Sequence, residues 1–107
     1  MVVRRFDVFL VNLDPTVGSE IKKTRPCLIV SPDEMNRTIR TVIIAPMTSQ
    51  GKTYPTRIPC LFQGKDGLIL LDQLRTVDKQ RLVRKMGRLD DATSRLVGNG
   101  LVELFAP

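Results

Sequence analysis

The sequence predicts one mainly β domain, a small and strongly bent antiparallel sheet or barrel with a helix packed at its C-terminal end. Short β-branched and apolar runs alternate with turn residues over residues 1–89, which is the pattern of several short strands. From Asp90 onward, apolar residues recur instead at helical spacing. The 107 residues contain no linker, internal repeat or low-complexity segment, so a single domain over 1–107 is predicted.

The first half of the chain predicts three strands separated by polar segments. The strands are predicted over 6–13, 26–30 and 41–45, with a polar loop over 14–24 and a short helical turn over 34–40. Turn residues at 31–33 separate the second strand from the helical turn. Pro46 is expected to end the third strand, because proline cannot donate to a β ladder.

The second half predicts three further strands and the helix. The strands are predicted over 54–61, 68–71 and 81–88, with polar turns over 47–52 and 63–67 and a polar segment over 72–76 that continues or leaves its strand. Two prolines within the first of these strands indicate an edge strand. The carboxylates of Asp90 and Asp91 are typical of a helix N-terminus. The predicted apolar residues of the helix are Leu96, Val97, Leu101, Leu104 and Phe105.

The charge balance points to an anionic partner. Seventeen Lys and Arg against eleven Asp and Glu give a net charge of +6, which is typical of small domains that bind nucleic acid or an acidic protein. No apolar run approaches the ~20 residues of a membrane span, and the N-terminus lacks the apolar stretch of a signal peptide. We therefore expect no membrane association and a cytoplasmic location.

Histidine and cysteine usage narrows the chemistry. The sequence has no His, which removes the commonest metal ligand and the commonest general base. Cys27 and Cys60 are too far apart for a zinc knuckle or a CxxC redox pair, and their apolar surroundings predict buried, reduced thiols. Since the carboxylates form no compact cluster either, we predict neither a metal site nor a cofactor.

The polar loop after the first strand holds the strongest candidate site. Pro26 biases Arg25 towards an extended conformation, so that Arg25 enters a buried strand at its mouth. A guanidinium fixed beside a glycine-containing loop suits an anion. The alternative is that Arg25 is one solvated cation among many.

Three segments carry a resemblance to a known family. Residues 12–32 read NLDPTVGSEIKKTRPCLIVSP, residues 44–49 read IAPMTS, and residues 67–78 read GLILLDQLRTVD. In this order, and with the predicted C-terminal helix, they resemble the MazF/PemK toxins, the endoribonuclease halves of bacterial toxin–antitoxin pairs. One departure is Phe6, where the family usually has Gly, and we expect it to affect packing and not chemistry.

The resemblance implies a small SH3-like barrel of the MazF/PemK/CcdB kind, a homodimer, and metal-independent cleavage of single-stranded RNA at short sequence motifs. It places catalysis on Arg25 and Thr48, and both residues fall at predicted strand ends beside polar loops. With no His and no metal cluster, the substrate must supply the nucleophile, and RNA has its 2′-hydroxyl. The products would be a 2′,3′-cyclic phosphate and a 5′-hydroxyl. The charge of +6 further favours a cognate acidic, largely disordered antitoxin in the same groove.

The catalytic roles follow from the chemistry of each side chain. Arg25 is expected to stabilise the charge that builds on the pentacoordinate phosphorus. Thr48 can hydrogen-bond a phosphate oxygen or the attacking hydroxyl, or its hydroxyl can satisfy a turn. Glu20 is a candidate for the base that accepts the 2′-hydroxyl proton, with a purely RNA-orienting role as the alternative.

Several polar residues are candidates for RNA binding because their side chains suit unstacked base edges or phosphates. They are Ser19, Lys22, Ser49, Gln50, Asp72 and Gln73. Asp72 accepts from a base, or else it braces Arg75 or Arg25. The five cations within 79–88 form either a phosphate-tracking face or a solvated strand face.

Three other functions remain open at this point. A toxin resembling CcdB would poison DNA gyrase and would not need the pair of Arg25 and Thr48. A non-catalytic RNA-binding module of the same fold would leave RNA intact. A degenerate, inactive toxin would not arrest growth when expressed.

Overall fold

The computed structural model describes residues 1–107 as seven strands, two helices and two short 3₁₀ turns. The strands are β1 (Asp7–Asn12), β2 (Thr24–Ile29), β3 (Thr41–Thr48), β4 (Arg57–Phe62), β5 (Lys65–Leu70), β6 (Arg75–Asp78) and β7 (Leu82–Arg88). The helices are α1 (Asp33–Thr38) and α2 (Asp91–Phe105), and the 3₁₀ turns cover Leu71–Gln73 and Lys79–Arg81. Neither helix is long and apolar enough to cross a membrane.

All strand pairs are antiparallel, and the sheet bends around β3. The strands follow the order β4-β5-β3-β2-β1-β7, and β6 also pairs with β3. One edge of β3 pairs with β2, whereas the other edge pairs with β6 up to Ile44 and with β5 from Met47. Because two strands share one edge of β3, the sheet curls strongly. The predicted fold class, a strongly bent antiparallel sheet with a C-terminal helix, is confirmed.

Two predicted strand boundaries are wrong for local reasons. Pro46 does not end β3, which continues to Thr48, because Pro46 lies in the gap between the β6 and β5 ladders, where a missing N–H is tolerated. The predicted turn over 63–67 comprises only Gln63 and Gly64, whose φ values of 52° and 77° suit a two-residue hairpin. β5 therefore begins at Lys65.

The polar segment 72–76 leaves its strand rather than continuing it. The chain passes through the 3₁₀ turn at Leu71–Gln73 and returns to β3 as β6. β6 pairs Arg75 with Ile44 and Asp78 with Thr41. Residues 75–78 thereby become part of the sheet.

α2 covers one of the two hydrophobic layers that lie on either face of the sheet. It begins after Asp90, whose carboxylate accepts a hydrogen bond from the Thr93 backbone N–H (2.9 Å), as predicted. The helix packs on the core with Val97, Leu101 and Leu104. Leu96 and Phe105 are 53% and 71% exposed, so the predicted apolar face was too wide.

Asp7 is a fully buried carboxylate at the start of β1. Its Oδ1 accepts a hydrogen bond from Arg88 Nη1 (3.0 Å), and its Oδ2 lies 3.3 Å from Lys85 Nζ. The backbone N–H of Arg4 also donates to this carboxylate (2.9 Å). These contacts join β1 to β7, the last strand of the sheet.

Phe6 adopts a left-handed backbone conformation, with φ of 71°, that residues other than Gly rarely take. Its backbone N–H donates to the Ile29 carbonyl (2.7 Å), and its carbonyl accepts from the Leu89 N–H (3.0 Å). This conformation accounts for the Gly that the resembling family usually has here. The half-buried ring packs against the same hydrophobic layer as α2, which compensates for part of the strain.

We expect Phe6→Gly to have a higher free energy of unfolding than Phe6→Ala, by about 1 kcal/mol. Both variants lose the packing of the ring, but only Gly relieves the left-handed strain. Urea unfolding of the two variants measures the difference. At an extended position Ala would be the more stable residue, so that order would contradict the role of the backbone conformation.

Candidate active site

The register of β2 and β3 brings Arg25 and Thr48 together. The recorded pairing ends with Cys27 opposite Pro46, and continuing this register by two residues sets Arg25 opposite Thr48. Directly opposed residues of antiparallel strands have Cα atoms about 4.5–5.5 Å apart. Both side chains are half-buried, and they line one cleft of about 270 Å³, here called the Arg25 cleft.

Arg25 is anchored by its inner nitrogen and leaves its outer nitrogens available. Its Nε donates to the carbonyl of Lys22 (2.9 Å), at the end of the loop between β1 and β2. Nη1 and Nη2 make no hydrogen bond within the chain, so four N–H donors remain for an anion. A guanidinium held in this way presents its fork to phosphate oxygens without having to become ordered first.

The hydroxyl of Thr48 satisfies a turn, which is one of the two roles considered for it. Its Oγ1 accepts a hydrogen bond from the backbone N–H of Gln50 (3.2 Å), which fixes the side chain at the turn. The hydroxyl hydrogen is left free to be donated. Gly67 lies behind this residue on β5, and a Cβ there would come 2.9 Å from the Thr48 carbonyl oxygen.

A second cleft of about 400 Å³ collects most of the other predicted residues and is called the Gln73 cleft here. It is lined by Ser19, Glu20, Asp72 and Gln73, together with Arg75 and apolar side chains. The structure therefore does not bring Glu20 into the Arg25 cleft. The Glu20 carboxylate accepts a hydrogen bond from the backbone N–H of Val17, within its own loop.

Gln73 connects the Gln73 cleft to that loop. Its Oε1 accepts the backbone N–H of Ile21 (3.0 Å), so that its Nε2 keeps both of its donors. Ser49 lines the Arg25 cleft, whereas Lys22 and Gln50 are exposed and line neither cleft.

Asp72 braces Arg57 and not the residues expected from the sequence. Arg57 Nε and Nη2 each lie 3.2 Å from an oxygen of the Asp72 carboxylate, in a two-pronged ion pair. Desolvation raises the pKa of Asp72. The hydrogen bonds from Arg57, from its own backbone N–H and from Thr56 lower it by more, so the net pKa lies below its usual value. The expected pairing of Asp72 with Arg75 or Arg25 is therefore wrong.

The five cations within 79–88 do not form one free basic face. Lys79 Nζ donates to the carbonyl of Asn36, Arg81 to two loop carbonyls, and Lys85 and Arg88 pair with the buried Asp7. Of the five, Arg84 makes no hydrogen bond or ion pair within the chain. Four of the five are thus structural, which neither sequence interpretation foresaw.

Sequence reasoning missed the wall that the β4–β5 hairpin gives to the Arg25 cleft. Gln63, Lys65, Asp66 and Gly67 lie on this wall. Because these residues are polar and glycine-rich, the sequence predicts only a hairpin turn for them. These residues are recognised only from the structure, in which the pairing of Thr48 with Leu68 brings the hairpin to the end of β3.

The two cysteines are free, buried thiols, as predicted. Burial raises the pKa of Cys27 to about 12, and it also raises the pKa of Cys60, which lines the Arg25 cleft. Neither thiol is a thiolate nucleophile at neutral pH. No three His, Cys, Asp or Glu side chains come together as a group that could hold a metal ion.

The fold is that of solved MazF toxins. The chain superimposes on MazF from Deinococcus radiodurans with a TM-score of 0.86, at 24% identity, over 100% of this chain and 99% of that one. It superimposes on an endoribonuclease from mycobacterial species, solved in complex with its cognate antitoxin, with a TM-score of 0.82, at 24% identity, over 98% and 97% of the two chains.

Sequence comparison shows the family. The model of the PemK-like, MazF-like toxin of type II toxin–antitoxin systems matches residues 4–105, and the chain belongs to this family. The chain is 41% identical over 97 residues to endoribonuclease EndoA of Bacillus subtilis, covering 85% of this chain and 84% of that protein. It is 37% identical over 108 residues to endoribonuclease MazF of Staphylococcus saprophyticus, covering 94% and 88%. The resemblance in the three sequence segments is thereby confirmed.

Proposed function

We propose that this chain is the toxin of a type II toxin–antitoxin pair and cleaves single-stranded RNA through the 2′-hydroxyl of its substrate, without a metal ion. The observation that carries the proposal is the Arg25 cleft, where an anchored guanidinium stands opposite a threonine hydroxyl. The endoribonuclease names of the relatives support the same activity. Cellular mRNA as substrate places its action in the cytoplasm.

In the proposed reaction the 2′-oxygen forms a bond to the adjacent phosphorus, and the bond from phosphorus to the 5′-oxygen breaks. The 2′-hydroxyl proton goes to a base, and the leaving oxygen takes up a proton from solvent water to become the 5′-hydroxyl. Arg25 Nη1 and Nη2 donate to the phosphate oxygens as negative charge builds there, and Thr48 donates its hydroxyl hydrogen to the same group. A fixed donor of this kind is worth about 3–4 kcal/mol in the transition state.

For the base that accepts the 2′-hydroxyl proton, we propose Asp66 in place of Glu20. Glu20 lines the Gln73 cleft and is engaged by its own loop, so we assign it to orienting RNA. Asp66 is the carboxylate that lines the Arg25 cleft, and in this proposal it accepts the proton. Ser19, Gln73 and Ser49 hydrogen-bond base edges, while exposed Lys22 and Gln50 contact the flanking backbone.

The proposed partners follow from charge and exposure. With a net charge of +6, the toxin favours an acidic antitoxin segment that lies across the Arg25 cleft and excludes RNA. Solved relatives with an antitoxin bound support this pairing. Val102 and Phe105 expose apolar side chains on α2, which supports the proposed homodimer.

The proposed function is tested by incubating the pure protein with total RNA in the presence of EDTA and mapping the ends. We expect cuts at a short motif with 2′,3′-cyclic phosphate ends, and saturating antitoxin peptide should displace the RNA. The absence of fragments would favour the non-catalytic RNA-binding module. Activity that EDTA abolishes and Mg²⁺ restores would contradict metal independence.

Gly67→Ala should slow cleavage by about tenfold, because its Cβ would displace the Thr48 backbone, which lies 2.9 Å away, by a few tenths of an ångström. Single-turnover rates at saturating RNA measure the loss. Gly98→Ala is the matched control, since nothing lies within 4 Å of its added Cβ. Equal rates for the two variants would show that the position of Thr48 does not limit the reaction.

A further inference from the structure

Arg75 and Arg81 hydrogen-bond the backbone where β1 ends and the loop to β2 begins. Arg81 Nη1 donates to the carbonyls of Asn12 (3.1 Å) and Asp14 (2.6 Å), and Arg75 Nη1 donates to the carbonyl between them, that of Leu13. β1 ends at Asn12, so strand pairing ends where these contacts begin. Three consecutive carbonyls are thus bound by guanidinium groups, an arrangement called the arginine clasp here.

The clasped stem is connected to Arg25 through the other end of the same loop. The Asp14 carboxylate accepts the backbone N–H of Lys23 (3.0 Å), and the N–H of Leu13 donates to the carbonyl of Lys23 (3.1 Å). The preceding carbonyl, that of Lys22, holds Arg25 Nε. The clasp therefore fixes the backbone that anchors the proposed catalytic guanidinium.

Arg81 is the member of the clasp that lies outside both clefts. It lines neither the Arg25 cleft nor the Gln73 cleft, whereas Arg75 lines the latter. Its two hydrogen bonds span 69 and 67 positions of the chain. They connect the segment that leads into β7 to the start of the loop between β1 and β2. Bonds from one charged donor to two carbonyls are stronger than bonds between neutral groups.

We propose that Arg81 is a positioning residue for Arg25, acting through the clasped loop and not by contact with RNA. The proposal rests on the proposed function, because it takes Arg25 as the group that stabilises the transition state. Without the clasp, Arg25 is still present, but the backbone carbonyl that anchors it is no longer held in position. The rate of cleavage should therefore fall while RNA still binds.

The test compares Arg81→Ala with Arg84→Ala, a matched control on β7 whose exposed side chain makes no hydrogen bond or ion pair. At saturating RNA, Arg81→Ala should lose about tenfold in single-turnover rate, with Kd for RNA changed less than twofold, and Arg84→Ala should keep its rate. Arg81→Lys should fall between them, because an ammonium group keeps the charge and several donors on one nitrogen but is carried on a shorter side chain with a different geometry. A raised Kd with a shallower salt dependence would show instead that Arg81 contacts phosphate.

A double-variant comparison separates positioning from general damage to the fold. In the Arg25→Ala background, Arg81→Ala should cause almost no further loss of rate, because the group that it positions is gone. An equal loss in both backgrounds overturns the proposal, as does an unchanged rate for Arg81→Ala alone. If Arg25→Ala itself keeps full activity, then the proposed function fails, which is a different result.

Discussion

Replacing the single ribose 5′ to the scissile phosphate with deoxyribose should abolish cleavage at that site. In the proposed reaction the 2′-oxygen is the nucleophile, and the two buried thiols of the chain, whose pKa values are raised, do not compete for that role. Binding of the substituted RNA should weaken by no more than one hydrogen bond, about 0.5–1.5 kcal/mol. A synthetic oligonucleotide containing the mapped motif allows both quantities to be measured on the same substrate.

The control places deoxyribose at the neighbouring positions, one at a time. Those hydroxyls contribute only to recognition, so cleavage should persist with small changes in affinity. The uncleavable RNA should also compete with the natural substrate. Cleavage of the substituted RNA at the original site would reveal an activated water or a protein nucleophile, and the roles given to Arg25 and Thr48 would then be wrong.

Arg25→Ala should lower the single-turnover rate by roughly 100-fold or more, because the outer nitrogens of the guanidinium are the anion donors of the cleft. The fold should survive, since this side chain lies at the rim and the core around Cys27 and Leu28 is untouched. Arg25→Lys should recover little, because an ammonium group cannot replace the fork. Thermal unfolding of each variant confirms that the loss is one of activity.

Thr48→Ala should cause a loss of similar size, and the double variant should lose less than the product of the two single losses. The reason is geometric: the two residues line one cleft at the ends of β2 and β3, so in the proposed mechanism one phosphate contacts both. Thr48→Ser keeps the hydroxyl and serves as the control. Losses that multiply would show that the two residues act independently.

The proximity of Arg25 and Thr48 could be expected from local sequence, whereas the catalytic roles proposed for them come from the family resemblance. Arg25 precedes a proline at the mouth of a buried strand, and Thr48 follows the β-branched run of the next strand. Consecutive antiparallel strands bring such ends to one rim. The structure adds the register that makes the two residues directly opposed.

The partners of the charged side chains were not predictable, because they lie far apart in sequence. Asp72 pairs with Arg57, which lies on β4. Arg81 donates to the carbonyl of Asp14, more than sixty positions earlier. Composition shows only that cations and carboxylates are present. Which of them meet depends on how β6 and β7 return to the sheet, and no local pattern records that return.

The buried Asp7 carboxylate bears on the order in which the newly made chain becomes active. Its partner Arg88 lies 81 residues later, and Lys85 is only slightly nearer. Burying Asp7 without either cation would cost about 3–5 kcal/mol, so the place of β1 beside β2 is fully stabilised once β7 is available. The sheet beside β2 is therefore completed close to the end of synthesis. We expect the nascent toxin to leave its own message uncut during translation, and the time until release is available to an antitoxin made alongside it.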